Sequence, residues 1–199
     1  VDAVELDGEV IRVAREYFGF KGNVTLADGR RFLQTADRRW DFIIVDVYLG
    51  SVPPWQLFTQ EAFELYREHL TEGGVLALNL MGSNSDPEQR PALEAVVTTA
   101  RAVFPVADVY PYPGADAEGK FRNIYVAAAD HARVEPLHPG KPGEAANMAE
   151  GLARTLPMSV APGRILTDSS SPLAPMMEPT AEHLRKVIHS YLPKDVLLY

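Results

Sequence analysis

Apolar and polar positions along this chain switch repeatedly between a strand-like and a helix-like period. Val1-Asp2-Ala3-Val4-Glu5-Leu6 is a strand-sized apolar run ending in acidic residues. Val10, Ile11, Val13, Ala14, Tyr17 and Phe18 follow at helical spacing, with Asp7 placed to cap that helix. Gly19 and Gly22 frame a turn into a second strand, Val24-Thr25-Leu26-Ala27, and Asp28-Gly29 opens a short helix through Phe32 and Leu33. Phe42-Ile43-Ile44-Val45 is a continuous apolar run, the pattern of a parallel strand buried on both faces, and it stops at Asp46.

A Gly- and Pro-containing loop then spans residues 47–58, and Thr59 caps a helix reaching His69 or Leu70. Gly73-Gly74 ends that unit, and residues 75–80 read as a strand. Asp86-Pro87, with Gln89 close behind, reads as the start of a helix running to Val103. Residues 106–110 and 123–129 read as two closing strands, paired antiparallel. Beyond 132 the chain is rich in Pro, Gly and Ala, with helices expected at 145–156 and 180–191.

The succession predicts an α/β fold of doubly wound, mostly parallel type. Its main domain is expected over residues 1–130, with a Pro/Gly-rich and helical extension over 131–199 packing on the same domain. In such sheets ligands bind beyond the carboxyl ends of the strands, which picks out Glu5, Asp28 and Asp46. Glu5 offers acceptors suited to two neighbouring ribose hydroxyls, or serves as a solvated strand end or a cap. Asp28 can accept from an exocyclic amine such as that of adenine, with Gly29 allowing close approach, or the pair is simply a turn. Asp46 can take a proton from a nucleophile or hold a cation, or it caps the turn that follows.

Composition narrows these options. The chain has 199 residues, 27 acidic against 19 basic, and a formal net charge of −8. No cationic cluster extends beyond the pairs Arg30-Arg31 and Arg38-Arg39, which argues against a nucleic-acid partner. Cysteine is absent, and the five histidines show no ligand spacing, so no metal is expected. No apolar run is long enough to cross a bilayer, and no signal-peptide pattern is visible. The chain opens on Val1 inside an apolar run, which suggests a chain cut from something longer.

One ordered set of segments resembles a known family. Val4-Glu5-Leu6-Asp7-Gly8-Glu9-Val10, Ala27-Asp28-Gly29-Arg30 and Trp40-Asp41-Phe42-Ile43-Ile44-Val45-Asp46 look like the cofactor-binding run of spermidine synthases. Leu57-Phe58-Thr59-Gln60-Glu61-Ala62-Phe63 and Gly73-Gly74-Val75-Leu76 continue in the same order, so that the likeness covers about two-thirds of the chain. The resemblance implies a Rossmann-like, methyltransferase-type fold. It implies transfer of an aminopropyl group from decarboxylated S-adenosylmethionine to a small-molecule amine, as in polyamine biosynthesis. Carried over, it assigns Glu5 to ribose hydroxyls, Asp28 with Gly29 to adenine, Asp46 to deprotonation of the amine and Tyr112 to the flank of that amine. Gln34 and Tyr48 are further candidates for the pocket lining. Such an amine is mostly protonated at neutral pH, its pKa resembling the ~10.4 of lysine, so a carboxylate both binds the cation and assists proton loss.

Two departures qualify the resemblance. Where spermidine synthases usually carry a second acid that holds the polyamine, this chain has Leu49, within Asp46-Val47-Tyr48-Leu49-Gly50. The run is closer to a divergent spermidine-synthase-like branch, and Ile165-Leu166-Thr167-Asp168 followed by Ser171-Pro172 resembles a late motif of that branch with no assigned role. The family's first strand and Gly-rich loop are expected ahead of Val1. The resemblance is compatible with a homodimer, with a membrane segment preceding Val1, and with a cytoplasmic location of the domain. Methyl transfer from S-adenosylmethionine itself, or a non-catalytic domain retaining the fold, stay open as alternatives.

Overall fold

The computed structural model describes residues 1–111, 122–131 and 158–191. The helix expected at 145–156 lies outside the described residues. The chain divides into two compact units, Val1–Arg39 and Trp40–Tyr199.

In the first unit, β1 (Asp2–Glu5) and β2 (Asn23–Leu26) pair in parallel, in register from Asp2 opposite Asn23 to Glu5 opposite Leu26. Helix α1 (Gly8–Phe18) starts where the sequence places its cap: the Asp7 carboxylate accepts from the Glu9 N–H at 2.8 Å. It ends at Gly19, whose φ of 67° is the left-handed conformation that glycine reaches without a Cβ penalty. Helix α2 (Gly29–Thr35) follows β2 and contributes the buried Leu33.

The second unit holds β3 (Trp40–Val45), α3 (Gln60–Glu68), β4 (Leu70–Gly82), α4 (Arg90–Val103), β5 (Val106–Pro111), β6 (Arg122–Ala129) and α5 (Leu173–Tyr191). A single 3-10 turn, Trp55–Leu57, interrupts the segment between β3 and α3. The strands lie in the order β3-β4-β6-β5. β3 and β4 are parallel, and β6 runs against both β4 and β5, so among the described residues only β6 is reversed in that sheet. The expected antiparallel closing pair is the β5–β6 pair.

The core of this unit is built from alternate positions on β4 (Leu76, Leu78, Leu80) and β6 (Ile124, Val126, Ala128) together with the inner faces of helices. Phe63 and Tyr66 come from α3, and Val96, Val97 and Ala100 from α4. An extended segment, 158–170, is laced to this core by backbone bonds: the Met158 N–H to the Val109 carbonyl at 2.6 Å, and the Gly163 N–H to the Thr98 hydroxyl at 2.7 Å.

Three expectations are corrected. β3 is not buried on both faces: it is the outer strand of its sheet, with Phe42 and Ile44 58% and 73% exposed. Helix α4 begins at Arg90 rather than at Pro87, because the Asp86 carboxylate serves a preceding turn, accepting from the Glu88 N–H at 2.8 Å and the Gln89 side chain at 3.1 Å. A helix already running at Pro87 would also meet Pro91, which has no N–H to give. Helix α5 begins seven residues before the expected start and runs through Pro179. Its buried positions Leu173, Met177, Thr180 and Ala181 form one helical face, and burial of that face outweighs the bond lost at the proline.

Candidate functional site

The parallel register of β1 and β2 carries their carboxyl ends to one edge of the first unit. Glu5 is the last residue of β1, and its carbonyl accepts from the Ala27 N–H at 3.0 Å, so that Asp28 stands one residue from a direct partner of Glu5. Both side chains are half-buried. Glu5 Oε1 accepts from the Asp7 N–H at 2.9 Å, and Asp28 Oδ1 accepts from the Arg31 N–H at 2.9 Å as the cap of α2. Each carboxylate thus has a local structural partner for one oxygen, and its other oxygen is left for a further donor. A Cβ placed on Gly29 would meet no atom within 4 Å, so the space beside this residue is open.

The second unit presents Asp46 just past β3. Because Val45 pairs in parallel with Leu78, Asp46 comes beside Asn79, which still lies within β4, and Asp46 Oδ1 accepts from Asn79 Nδ2 at 3.0 Å. Asp46 is exposed, whereas Asn79 Oδ1 is enclosed and has no hydrogen-bond partner. The orientation of that amide follows from its neighbour, since the reverse would set its oxygen against a carboxylate. An enclosed acceptor without a donor is uncommon in folded proteins.

Tyr48 completes this group. Its hydroxyl accepts from the Met81 N–H at 2.7 Å, which leaves the phenolic proton to be donated elsewhere. Burial pushes the Tyr48 phenol up to about 12, the Asp46 charge adds to that, and the Met81 bond opposes it. The group is therefore a neutral donor at ordinary pH. Tyr112 lies outside the described residues; Tyr110, beside it in sequence, is half-buried on β5. Among the described residues no three His, Asp or Glu side chains gather as metal ligands, and no helix is long and apolar enough to cross a membrane.

The structure thus brings Glu5, Asp28 and Gly29 together in the first unit, and joins Asp46 to Tyr48 and Asn79 in the second. Asn79 had no place among the sequence candidates. Its signal was a lone amide at the carboxyl end of the otherwise apolar run from Val75 to Leu80.

Comparison with known proteins places these features in a lineage. The family model of the spermine/spermidine synthase domain matches residues 1–133. A probable polyamine aminopropyl transferase of Bifidobacterium longum is 37% identical over 106 residues, which are 52% of this chain and 23% of that protein. The chain spans less than a quarter of the length of that relative. A probable spermidine synthase from Corynebacterium glutamicum superposes with a TM-score of 0.64 at 21% identity, covering 86% of this chain and 64% of the other. Human methyltransferase-like protein 13, solved in complex with SAH, gives a TM-score of 0.53 at 28% identity, over 77% of this chain and 69% of the other. The fold is accordingly the Rossmann-like α/β fold of methyltransferase type.

Proposed function

Given that the chain belongs to the spermine/spermidine synthase family, we propose that it transfers an aminopropyl group from decarboxylated S-adenosylmethionine to a small amine. The sulfonium supplies an electrophilic carbon and leaves as a neutral thioether. Glu5 accepts from the ribose hydroxyls and Asp28 from the adenine amine, with the open space beside Gly29 admitting the base. Asp46 binds the ammonium form of the acceptor and takes its proton, so that the nitrogen lone pair becomes available for attack. Tyr112 flanks the reacting amine. The domain acts in the cytoplasm.

The observation that carries this reading is the polar group at the end of β3. It combines one exposed carboxylate with one neutral phenol close to it. An exposed anionic acceptor complements the N–H donors of a primary ammonium. Leu49, in the segment that follows, is 62% exposed and adds no second charge, which favours an acceptor with a single cationic end.

A second reading, methyl transfer from S-adenosylmethionine, is favoured by the likeness to human methyltransferase-like protein 13 solved with SAH. One experiment separates the two. The protein is incubated with each sulfonium donor and a panel of amines that includes putrescine, and products are identified by mass. Aminopropylated amine with release of methylthioadenosine is the expected result. Methylated product, or no transfer to any amine, overturns the leading reading.

A further inference from the structure

Residues 165–172 have a recognisable pattern but no part in the chemistry above, and their surroundings give them one. Gly163 is set against the backbone of α4, and the N–H of Leu166 donates to the Thr99 hydroxyl at 2.9 Å. Leu166 is fully buried, and its carbonyl accepts from the Gln60 N–H, at the first residue of α3, at 2.8 Å. The Thr167 and Ser170 backbones then exchange hydrogen bonds, each of 3.1 Å, in a tight turn that presents Asp168 to the same helix start. The Thr59 hydroxyl donates to Asp168 Oδ1 at 2.7 Å, and the Asp168 N–H donates to Glu61 Oε2 at 2.9 Å.

Thr59 is 0% exposed, and its hydroxyl works in both directions, accepting from the Ala62 N–H at 3.3 Å while it donates to Asp168. A hydroxyl-to-carboxylate bond of this length is charge-assisted and stronger than a neutral one. Thr59 is also the downstream end of the segment that leaves β3 at Asp46. The upstream end of that segment is pinned by the bond between the Met81 N–H and Tyr48. Between the pins, Leu49 and Val52 bond to each other across Gly50, whose φ is 64°, and Leu49 and Trp55 remain exposed. The segment following Asp46 is therefore held on β4 through Tyr48 and on Asp168 through Thr59, and just before Thr59 by the buried Leu57 and Phe58, the Leu57 carbonyl accepting from the Tyr66 hydroxyl at 3.0 Å.

We infer that Asp168 is a positioning residue. Acting through Thr59, it fixes the far end of the 47–58 segment and so governs how the amine acceptor is held near Asp46. The functional half of this inference rests on the proposed function, whereas the mechanical half does not. The alternative is plain helix capping, in which Asp168 adds stability to α3 and nothing else.

Hydrogen exchange on the whole protein decides between them, using Asp168→Ala and Asp168→Asn. The asparagine keeps an oxygen for the Thr59 hydroxyl but loses the charge, so it is expected to fall between wild type and the alanine variant, nearer wild type. In Asp168→Ala, exchange over residues 47–62 should accelerate about tenfold or more, with β4 and β6 unchanged. Unchanged exchange in 47–58, or an equal rise throughout β4 and β6, overturns the inference. In steady-state assays KM for the amine should rise about tenfold in Asp168→Ala, with kcat within about twofold, and Asp168→Asn should recover most of that loss. A loosened segment with unaltered KM overturns the functional half. A wild-type protein that transfers to no amine sinks the proposed function instead, and the exchange result then still decides the mechanical half.

Discussion

Tyr48 offers a quantitative test through its proton. Its phenol is pushed up to about 12, chiefly by burial and further by the Asp46 charge. In the unfolded chain the same group titrates near ~10. The folded protein therefore keeps a proton that the unfolded chain releases, and its stability falls as pH rises through this interval. A difference from about 10 to about 12 corresponds to about 2.7 kcal/mol in total, present below about pH 10 and fully lost above about pH 12. By about pH 11 some 1.4 kcal/mol of it should be gone. Urea unfolding between about pH 8 and about pH 11 measures this loss, and Tyr48→Phe isolates it from every other titrating group. At neutral pH the phenylalanine variant should be less stable by about 1–3 kcal/mol, because the Met81 N–H loses its acceptor. Its stability should then fall less steeply than wild type on the alkaline side. Identical alkaline slopes in the two proteins would refute the argument that burial holds this phenol neutral.

Two other outcomes follow from named contacts. Gly163→Ala would place a Cβ 2.6 Å from the Ala95 nitrogen and the Glu94 carbonyl carbon, which no rotamer change can relieve. A loss of about 1–3 kcal/mol in chemical denaturation is expected, and a variant within about 0.5 kcal/mol of wild type would contradict the contact. Asp46→Asn should leave stability within about 0.5 kcal/mol, since the carboxylate is exposed, while aminopropyl transfer falls by about a hundredfold or more. Turnover close to wild type in that variant would remove Asp46 as the proton acceptor.

What the sequence revealed depended on the range of the interaction concerned. Asp7 and Thr59 were legible as caps, because a cap joins a side chain to an amide two or three residues on, and Asp28 was legible as the residue that opens a short helix. The strand ends at Glu5 and Asp46 were legible because runs of β-branched and aliphatic residues stop there. The bond from Thr59 to Asp168 spans 109 positions, and no local pattern announces it. Helix α5 was foreshortened because a proline in mid-pattern weighs heavily on local grounds, whereas burial of Leu173 and Met177 is a tertiary fact. Asn79 was overlooked inside an apolar run for the same reason: its meaning comes from Asp46 on the neighbouring strand. Likewise, the hydrophobicity of Phe42 and Ile44 reports nothing of where β3 lies in its sheet.

The reversed strand β6 has a consequence for how this unit is made. Among the described residues β5 pairs with β6 and with no other strand, and β6 is the later of the two to leave the ribosome. During synthesis β3 and β4 can zip together as soon as both exist, while β5 waits with its backbone amides unmet. The arrival of β6 then satisfies β4 and β5 in one step, so half of the sheet is completed at a single late moment. In the interval after β5 has emerged and before β6 follows, the chain displays an apolar edge with unmet hydrogen bonds to the cell, and chaperones should find it most readily then.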